Sequence, residues 1–281
     1  MLTDPGASES KRSSESTTPV SGQASDRVLL PEPTRSLQHE PSVTRDPHPQ
    51  LLSPAVRRLT WWWLLLAFAL PGVYPALLWN SGSVAYDAAL EHIPRARVFS
   101  GAISDGVLYP RWVQFLQYGL GSPLFTFQAP LPYYALDLLY RLGIPHPIGW
   151  RILVAAGLLA AALGAYLLVY AITRQRWPAV LAAVAYLYAP YVLRNALERG
   201  SNEAYSMFLY PWVLWALIWL AQRPSARRFI TATLMWAACI GTHVLGPLML
   251  APVAMAVALL AAWRHRTVAP ILVLLVGGLL T

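Results

Sequence analysis

Two stretches constrain this chain before any other feature. LTWWWLLLAFALPGVYPALLW at 59–79 and ILVAAGLLAAALGAYLLVYAI at 152–172 contain no charged residue. An α-helix rises ~1.5 Å per residue, so about 20 residues cross ~30 Å of hydrocarbon. In lipid every backbone N–H and C=O must find its partner inside the protein, which a helix achieves within its own segment. The reading is an all-α, polytopic transmembrane helical bundle. Composition agrees: 56% of the residues are hydrophobic and 12% charged, against ~25% charged in an ordinary soluble domain.

Hydropathy predicts spans at 59–79, 148–171, 177–195, 204–222, 229–244 and 246–263, with a seventh beginning near 268. The run 229–263 is too long for one span, and GTHVLGP (241–247) supplies the turn. The segment 123–144 is apolar but holds Pro130, Pro132, Asp137 and Arg141. Charge decides it. Arg57 and Arg58 place the N-terminal side in the cytoplasm, where Lys and Arg are enriched. If 123–144 does not cross, Arg174/Arg176, Arg223/Arg227/Arg228 and Arg264/Arg266 also fall in the cytoplasm. The segment is therefore read as a helix on or dipping into the outer surface. All six acids after residue 57 (Asp87, Glu91, Asp105, Asp137, Glu198 and Glu203) then lie outside, in a loop at 80–147 and a short turn at 194–203. The last residues, ILVLLVGGLLT, break off inside an apolar run, which reads as a chain continuing into further spans.

Residues 1–57 contain ten Ser, eight Pro and no Phe, Trp or Tyr. Such a segment buries too little apolar surface to offset its ordering entropy, so it is read as a disordered cytoplasmic tail ahead of a membrane domain at 58–281. The first apolar run begins too late for a secretory signal peptide and is read as an uncleaved anchor. The net charge of +8 does not point to nucleic acid, because the basic residues are scattered between apolar runs. Cys239 is the single cysteine, so neither an intrachain disulfide nor a cysteine metal cluster can form.

The charged stretch YDAALEHIPRAR (86–97) has two shapes. As one helix, Asp87, Glu91 and Arg95 form an i, i+4 ladder. Pro94 argues for a break near His92 and a new helix with proline in its first turn. Arg95 and Arg97 would then stand beside free N–H groups, an arrangement that suits a phosphate. In ERGSNE (198–203), Glu203 either complements the dipole of the helix it opens or serves a site, and Arg199 is a further phosphate ligand. His243 ends its span as a packing residue or a functional one. The aromatic stretch 106–140 is an interface belt, a groove for a lipid chain or sugar ring, or both.

The segments HIPRARVFSGAISDGVLYPRW (92–112), YGLGSPLFTFQAPLPYY (118–134), AYLYAPYVL (185–193) and ERGSNEAYSMFLYPWVLWAL (198–217) resemble bacterial membrane proteins of the 6-pyruvoyl-tetrahydropterin synthase-related type. Those in turn look like the GT-C superfamily of membrane glycosyltransferases. The resemblance implies a GT-C-like bundle in the bacterial inner membrane that takes a sugar from a polyprenyl-phosphate donor on the outer face. It implies an acid after the first span as general base or organiser. Asp87 matches by position, with Glu91 as competitor. The candidates for binding the lipid phosphate or substrate are His92, Arg95, Arg97, Arg111, Arg199, Glu203 and His243, with His92, Arg95 and Arg199 on the phosphate and Glu203 positioning the acceptor or a metal. A divalent metal is compatible with this set but not required by it. The acceptor is a glycan, lipid or protein. A transporter or lipid-handling protein is the alternative. It would place ionisable groups near the membrane midplane, where these spans carry none.

Overall fold

The computed structural model describes residues 54–78, 87–114 and 116–279, with side chains for 62–74 and for the described residues from 87 onward. The expected tail therefore lies, but for its last four residues, outside the described residues. Among these the fold is helical throughout. Its one departure is an isolated antiparallel bridge between Val113 and Ser122. The elements are α1 (Pro54–Leu78), a π-turn π1 (Ala88–His92), α2 (Ile93–Ser104), α3 (Leu124–Phe127), α4 (Leu131–Arg141), α5 (His146–Thr173), α6 (Arg176–Leu187), α7 (Pro190–Leu193), a second π-turn π2 (Arg194–Arg199), α8 (Asn202–Gln222), α9 (Ala226–Thr242), α10 (Leu245–His265) and α11 (Ala269–Leu279).

The helices α5 and α8 form the centre. α5 packs on α1, α4, α6 and α8, while α8 also packs on α9, α10 and α11. Small residues allow the central contact. A Cβ on Gly157 would run into the Phe208 ring, and one on Gly164 would stand 2.8 Å from the Trp212 indole. The indole N–H of Trp212 donates to the Ala160 carbonyl at 2.8 Å, so the close approach is also hydrogen-bonded. Small residues have this role between helices in lipid, where burial supplies no drive. One buried cluster joins α1, α2, α4, α5 and α6 around Phe99, Phe125, Tyr133 and Leu158. A second joins the C-terminal half of α8 to α9, α10 and α11 around Leu217, Leu220 and Trp236.

Among the described residues three helices, α5, α8 and α10, are long and apolar enough to cross a membrane, and a fourth span results if α6 and Pro190–Arg199 count as one. The span expected over 177–195 corresponds to this pair, which bends by 46° at its break. Ala189 precedes Pro190 and is driven out of helical geometry, with ψ 126°. The described apolar stretch of α1, Trp62–Tyr74, and α11 are shorter apolar helices. α9, expected as a span, has 17 residues and opens with Arg227 and Arg228. The ambiguous segment 123–144 forms the short helices α3 and α4. The 11 residues of α4 rise only about 16 Å, too little to cross.

Candidate functional site

The charged stretch after α1 does not break at Pro94. It stays helical by widening one turn. The N–H of Ile93 bonds back to the Ala88 carbonyl, a π-type bond, and Pro94 occupies the first turn of α2. In a regular helix the proline ring would collide with the carbonyl four residues earlier, and a π-turn moves that carbonyl aside. The free amides expected beside Arg95 and Arg97 are thus partly spent inside the helix. Arg95 pairs with Glu91 at 2.9 Å, as the ladder reading required, and Glu91 is half exposed.

The second charged stretch also winds as a π-turn. π2 ends at Gly200, which adopts φ +63° and reverses the chain into α8. This brings Arg199 onto Asp87, 112 positions away. Its Nε and Nη2 donate to the same Asp87 oxygen at 3.1 and 3.0 Å. Its Nη1 donates to the Asn195 amide oxygen at 2.9 Å and lies 3.7 Å from Glu203. The Tyr191 hydroxyl donates to the other Glu203 oxygen at 2.8 Å. The result is an acid–arginine–acid bridge. Its carboxylates are mostly shielded, with side chains 20% and 14% exposed, while the guanidinium is 45% exposed.

His92 lies beneath this bridge and is buried. Its Nε2 accepts the N–H of Asn202, the first residue of α8, at 3.4 Å. A backbone N–H can only donate, so Nε2 carries no proton and Nδ1 does. Nδ1–H then donates to the Tyr133 hydroxyl at 3.0 Å, which also accepts from the Asn202 amide at 3.3 Å. The ring stacks on Trp150 with centroids 5.2 Å apart. Burial, helped by the nearby Arg95, holds the imidazole down to a pKa of about 4, with Asp87 opposing. His92 is therefore a neutral cap for α8. His243 repeats the device. Its Nδ1 accepts the Gly246 N–H at 3.1 Å near the start of α10, and burial lowers its pKa, with Glu203 opposing. Around His92, the Asn202 Oδ1, the Trp150 indole N–H and the Tyr205 hydroxyl are buried without a protein partner, leaving polar capacity for water or a hydroxyl-bearing ligand.

The structure thus gathers Asp87, His92, Arg199 and Glu203, with Glu91 and Arg95 one turn along and His243 near enough to feel Glu203 and Arg199. Arg97 and Arg111 lie elsewhere. Arg97 lines a cavity of about 380 Å³ with Ser100, Tyr140 and His146. Arg111 lies over the Tyr109 ring at 5.1 Å. Among the described residues no group of three His, Cys, Asp or Glu could hold a metal ion, and a guanidinium occupies the place between Asp87 and Glu203. The sequence reading missed Tyr133, Tyr191, Asn195 and the capping role of Asn202. Their only signal was position, in aromatic PLPYY and within or beside the charged turn 194–203.

Residues 125–280 match the family model of the 6-pyruvoyl-tetrahydropterin synthase related domain, described as a membrane protein. That is more than half of the chain. The chain belongs to this family. The matched segment holds Tyr133, Arg199, Asn202, Glu203 and His243, while Asp87, Glu91, His92 and Arg95 precede it. As a member of this family the chain is a membrane protein, in keeping with its long apolar helices. A search of curated proteins found no match, and neither did a search of solved structures.

Proposed function

We propose that this family member is a GT-C-like membrane glycosyltransferase. It crosses the bacterial inner membrane several times with its N-terminus in the cytoplasm, and moves a sugar from a polyprenyl-phosphate donor to an acceptor on the outer face. One observation carries the reading. The Asp87–Arg199–Glu203 bridge stands at one end of the long apolar helices, half open to the surface, where a lipid-borne phosphate would arrive. An anionic phosphate competes with Asp87 for the exposed guanidinium of Arg199. Displacement frees the Asp87 carboxylate as a base. The acceptor hydroxyl gives its proton to Asp87, and its oxygen bonds to the anomeric carbon. The bond from that carbon to the phosphate oxygen breaks, and polyprenyl phosphate leaves with the electron pair. Arg199 and Arg95 stabilise the charge on the departing phosphate. Glu203, held by Tyr191, positions the acceptor. His92 and Asn202 fix the start of α8, and so the register of Glu203 and Arg199.

The test is sugar transfer in proteoliposomes, using the full chain, a labelled polyprenyl-phosphate sugar and a range of acceptors. Transfer that is abolished by Asp87→Asn supports the reading. Transfer unaffected by Asp87→Asn, Glu91→Gln and Arg199→Ala together overturns the site. A second reading has one observation in its favour, the 46° bend between α6 and Pro190. Broken helices are common in transporters, and a lipid-handling protein would bind the same head group without breaking a bond. It predicts lipid binding or flipping that survives Asp87→Asn.

A further inference from the structure

The far ends of the same helices hold a second cavity. The N-terminal ends of α5 and α8 carry Trp150, Asn202 and Glu203 at the site above, and α10 begins beside His243. Their C-terminal ends converge about 30–40 Å away, given 28 residues in α5 and 21 in α8 and α10. There they enclose a cavity of about 910 Å³ lined by Arg174, Arg223, Arg228, Arg264 and His265. Its walls between the cations are apolar, with Ile218, Val257 and Leu260 among them.

Cations at helix C-termini complement the dipole, and carbonyls there accept hydrogen bonds. That accounts for part of the set. Arg228 donates to the Trp219 carbonyl at 2.6 Å and lies over the Trp219 ring at 4.4 Å. Arg174 donates to Gln222 at 3.2 Å, and Gln222 in turn donates to the Ala171 carbonyl at 3.2 Å. These contacts order one wall. They leave the guanidinium groups of Arg223 and Arg264 without an ion pair or hydrogen bond among the described residues. No carboxylate lines the cavity. None is available from the neighbouring chain either, since residues 142–197 and 204–281 contain no Asp or Glu. Among the described residues these four guanidinium groups around one space have no carboxylate counter-ion, an arrangement that suits an anionic ligand. A soluble anion would gain nothing from the aliphatic wall. An anionic phospholipid uses both features, its phosphate on the arginines and the upper part of an acyl chain on Val257 and Leu260. Basic pockets between membrane helices recognise such head groups.

We propose that this cavity is a binding site for an anionic phospholipid of the leaflet opposite the Asp87 site. The proposal does not rest on sugar transfer, and its failure would leave that reading untouched. The experiment measures thermal unfolding of the full chain in neutral detergent while cardiolipin, phosphatidylglycerol, phosphatidylcholine or inorganic phosphate is added. A ligand that binds only the folded protein raises the midpoint in a saturable, concentration-dependent way. Cardiolipin and phosphatidylglycerol should do so, while phosphatidylcholine and inorganic phosphate at equal concentration should not. Arg223→Ala with Arg264→Ala should weaken the apparent affinity at least tenfold. Arg227→Ala removes the same charge at the same end from a residue that does not line the cavity, and should change it less than twofold. Both lining side chains are exposed; should the double variant nonetheless fail to fold, the single Arg223→Gln and Arg264→Gln variants are read in the same way. Equal stabilisation by phosphatidylcholine would overturn the proposal, as would equal loss in Arg227→Ala. Equal binding of inorganic phosphate would make the cavity a plain anion site and overturn the lipid assignment.

Discussion

The two ends of the α5–α8 pair handle charge in opposite ways. At the start of α8, each cation that reaches the site has a carboxylate from the chain itself: Arg199 takes Asp87 and Glu203, and Arg95 takes Glu91. Two histidines there are kept neutral to cap helix starts. At the far end the described residues include arginines and no acid: Arg228 is held by a carbonyl and a tryptophan ring and Arg174 by an amide, while Arg223 and Arg264 have no such partner. A pre-paired end can exchange one internal partner for a substrate anion and take the partner back afterwards, which suits turnover. An unpaired end can only acquire its counter-ion from outside and keep it, which suits anchoring.

The largest expected effect breaks the pre-paired end. Asp87→Asn should lower sugar transfer by ~10²–10⁴-fold, the usual contribution of a positioned base. Folding should survive, because the amide is isosteric and its oxygen still accepts from Arg199. Glu91→Gln should stay within a few-fold of the parent, since Glu91 is half exposed and its ion pair is with Arg95. Inactivity of Glu91→Gln with activity of Asp87→Asn would show that the wrong carboxylate had been chosen.

The proposed function puts the two ends on opposite sides of the membrane, with the Asp87 end outside. In a Cys239→Ala background, Glu198→Cys should react in intact cells with an impermeant thiol reagent, and Arg227→Cys should react only after lysis. Removing Cys239 leaves little background, as it is fully buried. Labelling of position 227 but not 198 in intact cells would invert the topology.

A smaller effect tests the neutral histidine. The His92 pKa falls from 6.5 free to about 4 folded, so between those values the unfolded chain binds more protons and stability rises with pH. The contribution is full above pH 6.5 and is lost as the pH falls toward 4. Each pKa unit corresponds to ~1.4 kcal/mol, so the whole shift is worth at most about 3.5 kcal/mol. The melting temperature should therefore drop between pH 7 and pH 5. In His92→Gln, whose amide has no charge to gain, the drop should be clearly smaller. Equal drops in both proteins would remove His92 from the account.

The smallest expected effect is none. Deleting residues 1–50, which lack aromatic residues, should leave the detergent melting temperature within about a degree. This follows from the lack of apolar surface to bury. A large drop would show that this segment contributes to the stability of the folded protein.

Hydropathy by itself determined that the chain is a helical membrane protein. It located α5, α8 and α10 to within a few residues, because the length of an uncharged run is a local property that lipid reads directly. The concentration of acids in two loops was equally plain. The bend at Ala189–Pro190 was written in the proline but hidden inside a continuous apolar run. Only the tertiary structure decided which acid meets which arginine. Asp87 and Arg199 are 112 positions apart, Asp87 just before one π-turn and Arg199 at the end of the other, and they meet in a fold whose central helices α5 and α8 pack closely through Gly157 and Gly164. The same packing made His92 a neutral cap, since the tautomer depends on a backbone N–H supplied from 110 positions away. Charge pairing and protonation are set by neighbours in space, and these neighbours are brought together by contacts that no local pattern encodes.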